Sequence, residues 1–222
     1  MSAEMMPGGS QTFTNETCST QRIDKVNPDG SAELIRTIDS TNSTMNGQPF
    51  ENPRASSAIG FPLRVKLSPT GKVFAVLSLK DSLDEAATMI FEAFRSQLMS
   101  QPGLPAKPVR MNESWQDSSR MTQQTQIGSL TTEIKYVTIL KGTDTISAAP
   151  VLVLNMKMSL SGSISGGAGT INGTGDGVTY FSRDLGKEIR SVLNIDQTMD
   201  MNSPQGSMTM NMKTTTTKEL LR

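Results

Sequence analysis

At 222 residues, with 21 basic and 21 acidic side chains and a formal charge of zero, the chain is long enough for one sizeable core. It lacks the excess of Lys and Arg that a sequence-independent grip on nucleic acid requires. It has no histidine and one cysteine, Cys18, which excludes a Ser-His-Asp triad, a His/Cys zinc site and an intrachain disulfide.

The opening MSAEMMPGGS has neither the basic end nor the apolar stretch of a signal peptide. Residues 1–10 read as disordered or as the remnant of a trimmed N-terminus. From Thr12 the chain is polar, and Arg22-Ile23-Asp24-Lys25-Val26 alternates as a half-buried strand does. Asn27-Pro28-Asp29-Gly30 is a turn, with Pro at the first central position and Gly able to take a positive φ. The return through Ala32, Leu34, Ile35 and Ile38 makes a hairpin, and residues 40–60, with Pro49 and Pro53, read as a loop. A second hairpin turns at Ser68-Pro69-Thr70-Gly71. Its returning strand carries Val73, Ala75, Leu77 and Leu79 on one face and Phe74 and Val76 on the other, which predicts a central or helix-covered strand.

One helix is predicted, from residue 82 to about 100. Leu83, Ala87, Ile90, Phe94 and Leu98 recur at steps of three and four, Ser82 with Glu85 fits a capping box, and Asp81 and Asp84 suit the dipole there. Pro102 and Gly103 stop it. Strand patterns then follow one another. Leu130, Ile134, Tyr136 and Leu140 share a face that ends at Lys141-Gly142-Thr143-Asp144, and Leu152, Leu154, Met156, Met158 and Leu160 form a strict period-two row. Residues 161–177 are glycine-rich, which predicts bulges or sharp curvature. Val178, Tyr180 and Phe181 make a short strand turned by Arg183-Asp184-Leu185-Gly186. Ile189, Leu193, Ile195, Met199 and Met201 alternate, and Met208, Met210 and Met212 make the last row.

This pattern predicts a mainly β single domain over residues 1–222. Long strands twist, so the expectation is a large curved antiparallel sheet, half-barrel-like, with the helix against its concave face. No stretch of about 18 apolar residues exists to span a membrane as a helix.

Nothing in the chain writes out catalytic chemistry or a cofactor. The glycine run lacks the lysine of a phosphate-binding loop, and helix capping accounts for Asp81, Asp84 and Glu85. Asp196 and Asp200 fall on a solvent face. The 15 methionines stand out. They serve as core filler, as a soft lining for an apolar ligand, or as a thioether site for Cu(I), which would draw on adjacent strands. The candidate lining of an apolar cavity is Ile90 and Phe94 from the helix, Leu154, Met156 and Met158 from one row, Leu193, Ile195 and Met199 from the next, and Met210 from the last.

The segment Leu104-Pro105-Ala106-Lys107-Pro108-Val109, followed by Ser114-Trp115, resembles the "LP-x-KPV" stretch of a bacterial family of exported β-rich proteins of unknown function. The Val26–Ala32 hairpin, Ser68–Val73, the glycine-rich strand and the Thr-rich end at Lys213–Leu221 extend the resemblance over most of the chain. Asn112-Glu113-Ser114 stands where that family has Gly-Asp before the Trp. The architecture is similar to lipoprotein-carrier half barrels, in which a curved sheet and helices enclose an apolar cavity. The resemblance implies export to the periplasm or cell envelope, and the lack of catalytic chemistry in the residues points to a non-enzymatic role. A lipid or other apolar small molecule and a membrane-associated protein are the partners it suggests. The alternative is a structural or interaction module of the envelope with a filled core, and a carboxylate-based hydrolase is a third reading.

Overall fold

The computed structural model describes residues 12–51, 58–80, 82–83, 85–125, 128–203 and 206–220. The fold is mainly β and antiparallel, as expected, with one short α-helix among the described residues, and its strands fall into two open sheets. The chain divides into two compact units: residues 1–69 with 73–95, and residues 70–72 with 96–222. Residues 52–57 of the expected 40–60 loop lie outside the described residues, as do Asp81 and Asp84.

The first unit contains β1 (Phe13–Val26), β2 (Ala32–Met45), β3 (Gln48–Pro49), β4 (Pro62–Leu67) and β5 (Val73–Ser78). The sheet order is β1-β2-β4-β5, with β3 beside the far end of β2. The Asn27–Gly30 turn forms as predicted: Gly30 sits at φ 85° and donates its N–H to the Asn27 carbonyl at 3.0 Å. The residues read as a loop after position 40 are partly strand, because β2 runs on to Met45 and pairs with both Phe13 and Gln48. The core is built from Ile38, Phe61, Leu63 and Val65, each 2% exposed or less.

Two strand readings change here. Ile23 and Val26 were expected to be half-buried but are 70% and 62% exposed, because β1 is paired on one side only. The strand β5 is terminal, not central. Its register against β4 slips between Lys66 and Leu67, so Val73 pairs with Leu67 while Ala75 pairs with Lys66. That extra residue, Phe74, turns the alternation over, so Val73 and Val76 are buried whereas Phe74, Leu77 and Leu79 face outward.

The helix α1 (Glu85–Met99) confirms the periodic signal to within a few residues. Phe94 packs against Ile38 and Ala58 of the first unit, and Leu98, in the second, is buried.

The second unit contains β6 (Ser114–Thr125), β7 (Gly128–Ile146), β8 (Ala149–Ile164), β9 (Gly169–Ser182), β10 (Lys187–Ser203) and β11 (Gly206–Glu219). Each strand pairs with its sequence neighbours alone. β7 continues through the expected turn at residues 141–144, with a register shift at Leu140/Gly142, and reverses at Ser147 and Ala148. Their φ angles of 49° and 63° are the positive pair that a two-residue hairpin turn needs, here without glycine. The short strand expected at Val178–Phe181 is the end of the 14-residue β9.

The register collects side chains with a period of two. Tyr136, Met158, Gly175 and Ile195 are consecutive cross-strand partners, as are Thr138, Met156, Gly177 and Leu193. All of these share one face, and Lys135, Lys157, Asp176 and Asn194 share the other. The glycines on β9 make no bulge, because its pairing with β8 is continuous from Leu152 to Ile164. They make room instead. A Cβ on Gly175 would lie 2.7 Å from Met158 Cγ and 2.7 Å from the Asn194 carbonyl oxygen. Side chains of the neighbouring strands lie over a column with none of its own, and Ile134, Tyr136 and Met158 form the buried cluster beside it. One of the two close contacts is backbone, which cannot rotate away. Gly175→Ala is therefore expected to cost about 1–3 kcal/mol in chemical denaturation, as overpacking does. A loss under about 0.5 kcal/mol would show that β9 can shift away from β8 and β10.

Candidate functional site: an apolar cavity under a proline-rich strap

Residues 100–109 leave the helix as an extended strap, because Pro102, Pro105 and Pro108 cannot continue it. The strap is fastened to the apolar face of the second sheet at two of its backbone units. The Ser100 carbonyl accepts the Tyr136 hydroxyl at 2.7 Å and the Ser119 hydroxyl at 3.4 Å. The Gly103 carbonyl accepts the indole N–H of Trp115 at 3.2 Å, and the Gly103 N–H donates to Asp117 at 2.9 Å. Leu104 N–H donates to the Thr70 carbonyl at 2.8 Å. The Lys72 ammonium donates to the Asp117 carboxylate and, at 2.8 Å, to the Ser118 carbonyl. Gly103 is tightly seated, since a Cβ there would be 3.0 Å from that of Lys72.

Beyond these anchors the strap stands off the sheet and leaves a cavity of about 390 Å³. Leu104, Pro105 and Val109 form one wall, with Trp115, Leu140, Leu152, Leu154 and Phe181 opposite. The volume is within the range of small-molecule sites, and the lining is apolar apart from Lys107 and the indole of Trp115. A larger depression of about 510 Å³ crosses β9, β10 and β11, but Asn172, Thr174, Asp196 and Lys213 line it and it is open to solvent. Both depressions are partly open to solvent, and the polar lining of this one makes the strap cavity the better site for an apolar ligand.

Two ionisable groups beside the strap, Tyr136 and Asp117, are shifted away from neutral pH. Burial, and then the charge of Asp117, push the Tyr136 phenol up to about 12. Burial raises the Asp117 carboxyl, but the hydrogen bond from Lys72 and the N–H groups of Gly103 and Ser118 outweigh it, so its pKa lies below the ordinary value. Near pH 7 the tyrosine stays protonated and the aspartate stays charged and fully engaged. Neither is poised for proton transfer.

Of the residues expected to line an apolar site, Leu154 lines this cavity. Met156, Met158, Leu193 and Ile195 lie on the same face of the sheet, packed together in the cluster around Tyr136. Met199 and Met210 are opposite each other towards the far end of β10 and β11. Phe94 belongs to the first unit, and the side chain of Ile90 lies outside the described residues. The alternation alone did not single out Leu104, Pro105, Val109, Trp115 or Phe181. The signal for the first four was the LPAKPV and SW motif, which marks a segment without periodicity. Asp196 and Asp200 are on the polar face as expected, where Asp196 pairs with Lys213 at 3.6 Å and Asp200 accepts from Thr209 at 2.6 Å.

Two pH tests follow from the anchors. Because the folded-state pKa of Asp117 is depressed, its contribution is complete above the unfolded value, near 3.9, and is lost as pH falls through the folded one. Asp117→Asn should destabilise the protein at neutral pH, and the gap from wild type should close in acid. A gap that persisted unchanged at pH 2 would show that the carboxylate charge does not hold the strap. The raised Tyr136 pKa has the opposite sense: stability is lost as pH rises above about 10, the unfolded value. Ultraviolet titration of the folded protein should show a phenolate appearing near pH 12 that is missing from Tyr136→Phe.

No family model, curated protein or solved structure matches the chain.

Proposed function

We propose that this protein is a non-enzymatic binding or carrier protein for a small apolar ligand, such as a lipid or an acyl chain, seated beneath the strap. The observation that carries this reading is the 390 Å³ cavity between Leu104–Val109 and the apolar end of the sheet. Each methylene moved from water into it contributes about 0.8 kcal/mol, so roughly eight would supply about 6 kcal/mol before the cost of association. No specific polar contact is needed for useful affinity. The strap is fastened at Ser100, Gly103 and the Leu104 N–H, and its distal part, from Pro105 to Val109, is the segment that would yield to admit a chain. The absence of histidine from the sequence and the settled protonation of Tyr136 and Asp117 favour binding over catalysis. Export to the periplasm or cell envelope rests on the LPAKPV and Trp115 resemblance. No helix among the described residues is long and apolar enough to cross a membrane.

A second reading, a structural or interaction module of the envelope, draws on a different observation. Phe74 and Leu77 on β5, Leu79 just after it, and Ile23 and Val26 on β1 are exposed apolar side chains of the first unit, where a protein partner would find purchase.

Trp115 is the only tryptophan, and it lines the cavity, so its emission reports occupancy directly. Delipidated protein titrated with fatty acids of increasing length should show a saturable emission change whose affinity rises with each methylene until the cavity is full. Leu152→Phe, which fills the site with an apolar group, should weaken binding about tenfold or more while leaving the far-ultraviolet circular dichroism unchanged. Absence of any saturable response across the series would eliminate the carrier and leave the interaction module.

A further inference from the structure

The end of the second sheet remote from the strap contains a group of side chains that the cavity does not use. In the β10–β11 hairpin, Met199 is paired directly with Met210, and Met201 with Met208. Positions two apart on a strand share a face, so all four thioethers project from one side of the hairpin. On that face β9 contributes Ile171, which is buried, opposite Met199, and Gly169 opposite Met201. All four methionines are half-buried. Met212 follows in the same row, opposite Gln197, and its sulfur receives the Gln197 amide N–H at 3.8 Å.

We propose that Met199, Met201, Met208 and Met210 form a binding site for a soft monovalent cation, Cu(I). Directly opposed residues have Cβ atoms about 5 Å apart, and successive residues on one face are about 7 Å apart. The centre of that rectangle lies about 4 Å from each Cβ, within the reach of an unbranched side chain with three rotatable bonds. One ion above the hairpin can therefore meet three or four thioether sulfurs without backbone movement. The donor set decides which ion. Thioethers are neutral and soft, so they favour Cu(I) and leave the charge of a hard divalent ion uncompensated. The nearest carboxylate on these strands, Asp200, is on the opposite face, where Thr209 holds it. The buried Ile171 beside the group limits water, which competes with thioether sulfur. Nothing is oxidised or reduced: the ion enters and leaves as Cu(I), exchanging the ligands that delivered it for sulfur.

An apolar core would be served equally well by leucine, and this separates the two roles. The experiment uses the 222-residue chain carrying Cys18→Ser, because the exposed Cys18 thiol would itself bind Cu(I). Cu(I) is titrated anaerobically against a chromophoric Cu(I) chelator, with Ag(I) as a redox-inert second probe. The expected result is one ion per chain withheld from the chelator, with sulfur-only coordination in the copper X-ray absorption spectrum. Met199→Leu with Met210→Leu, and separately Met201→Leu with Met208→Leu, should each weaken retention about tenfold or more. Met111→Leu, on an exposed loop, should not change it. Thermal melts of the metal-free variants check that leucine keeps the hairpin intact. Failure of the Cys18→Ser protein to hold either ion against the chelator would overturn the site, as would undiminished retention in both double variants. The Trp115 emission response to acyl chains is read independently, so loss of one activity leaves the other measurable.

Discussion

The second unit depends on one constraint, the unbroken register of β8 with the strands on either side. From Leu152 to Ile164 the pairing of β8 with β9 has no bulge, and from Leu130 to Leu140 its pairing with β7 has none. Side chains alternate faces with a period of two, so a slip by one residue would carry Leu154, Met156 and Met158 to the wet side and bring Asn155 and Lys157 into the core. The glycine column secures this register. With Gly173, Gly175 and Gly177 beside them, the long side chains of β8 and β10 lie over β9, an arrangement that a one-residue slip would fill with Asn172, Thr174 or Asp176. Both the cavity and the methionine group are consequences, since each is built where this face continues past the filled centre.

The two ends of the face are finished differently. At one end the chain returns as the strap and is fastened through its own carbonyls to Tyr136 and Trp115. The Lys72–Asp117 pair and the Gly103 N–H hold the same corner. A partly exposed ion pair alone would contribute little. Here the carboxylate also accepts two backbone N–H groups, so it does the work of positioning. At the other end no strap arrives within the described residues of this unit, and the row is made of methionine, whose flexibility suits a surface that meets more than one neighbour.

What could be read in the sequence was what has a period. The helix at 85–99, the rows on β8 and β10 and the Asn27–Gly30 and Arg183–Gly186 turns all announce themselves through spacing or turn chemistry. Local slips left no such mark. The extra residue at Phe74 and the shift at Leu140/Gly142 change which side chains are buried, although the composition on either side is ordinary. The Ser147–Ala148 turn uses positive φ without glycine, so the Lys-Gly-Thr-Asp stretch before it was the stronger turn signal. Polar strands such as β1, β6 and β11 are strands because a neighbour supplies a ladder, and their own alternation is faint. The strap is the clearest case: Pro102 and Gly103 mark where the helix stops, but only the hydrogen bonds from Trp115 and Tyr136 show what the segment covers.

The strand order of the second sheet also bears on how this unit acquires its structure. It is a pure meander, in which each of the five strand-to-strand pairings is closed by a hairpin between sequence neighbours. Every step therefore closes a short loop, and the chain-entropy penalty is met in small instalments rather than in one long-range encounter. Among β architectures this is the arrangement of lowest contact order, and hairpins of this kind form in microseconds. The strap docks onto β6 and β7, and the opposite wall of its cavity also draws on β8 and β9, so the site it covers closes only after those four strands exist.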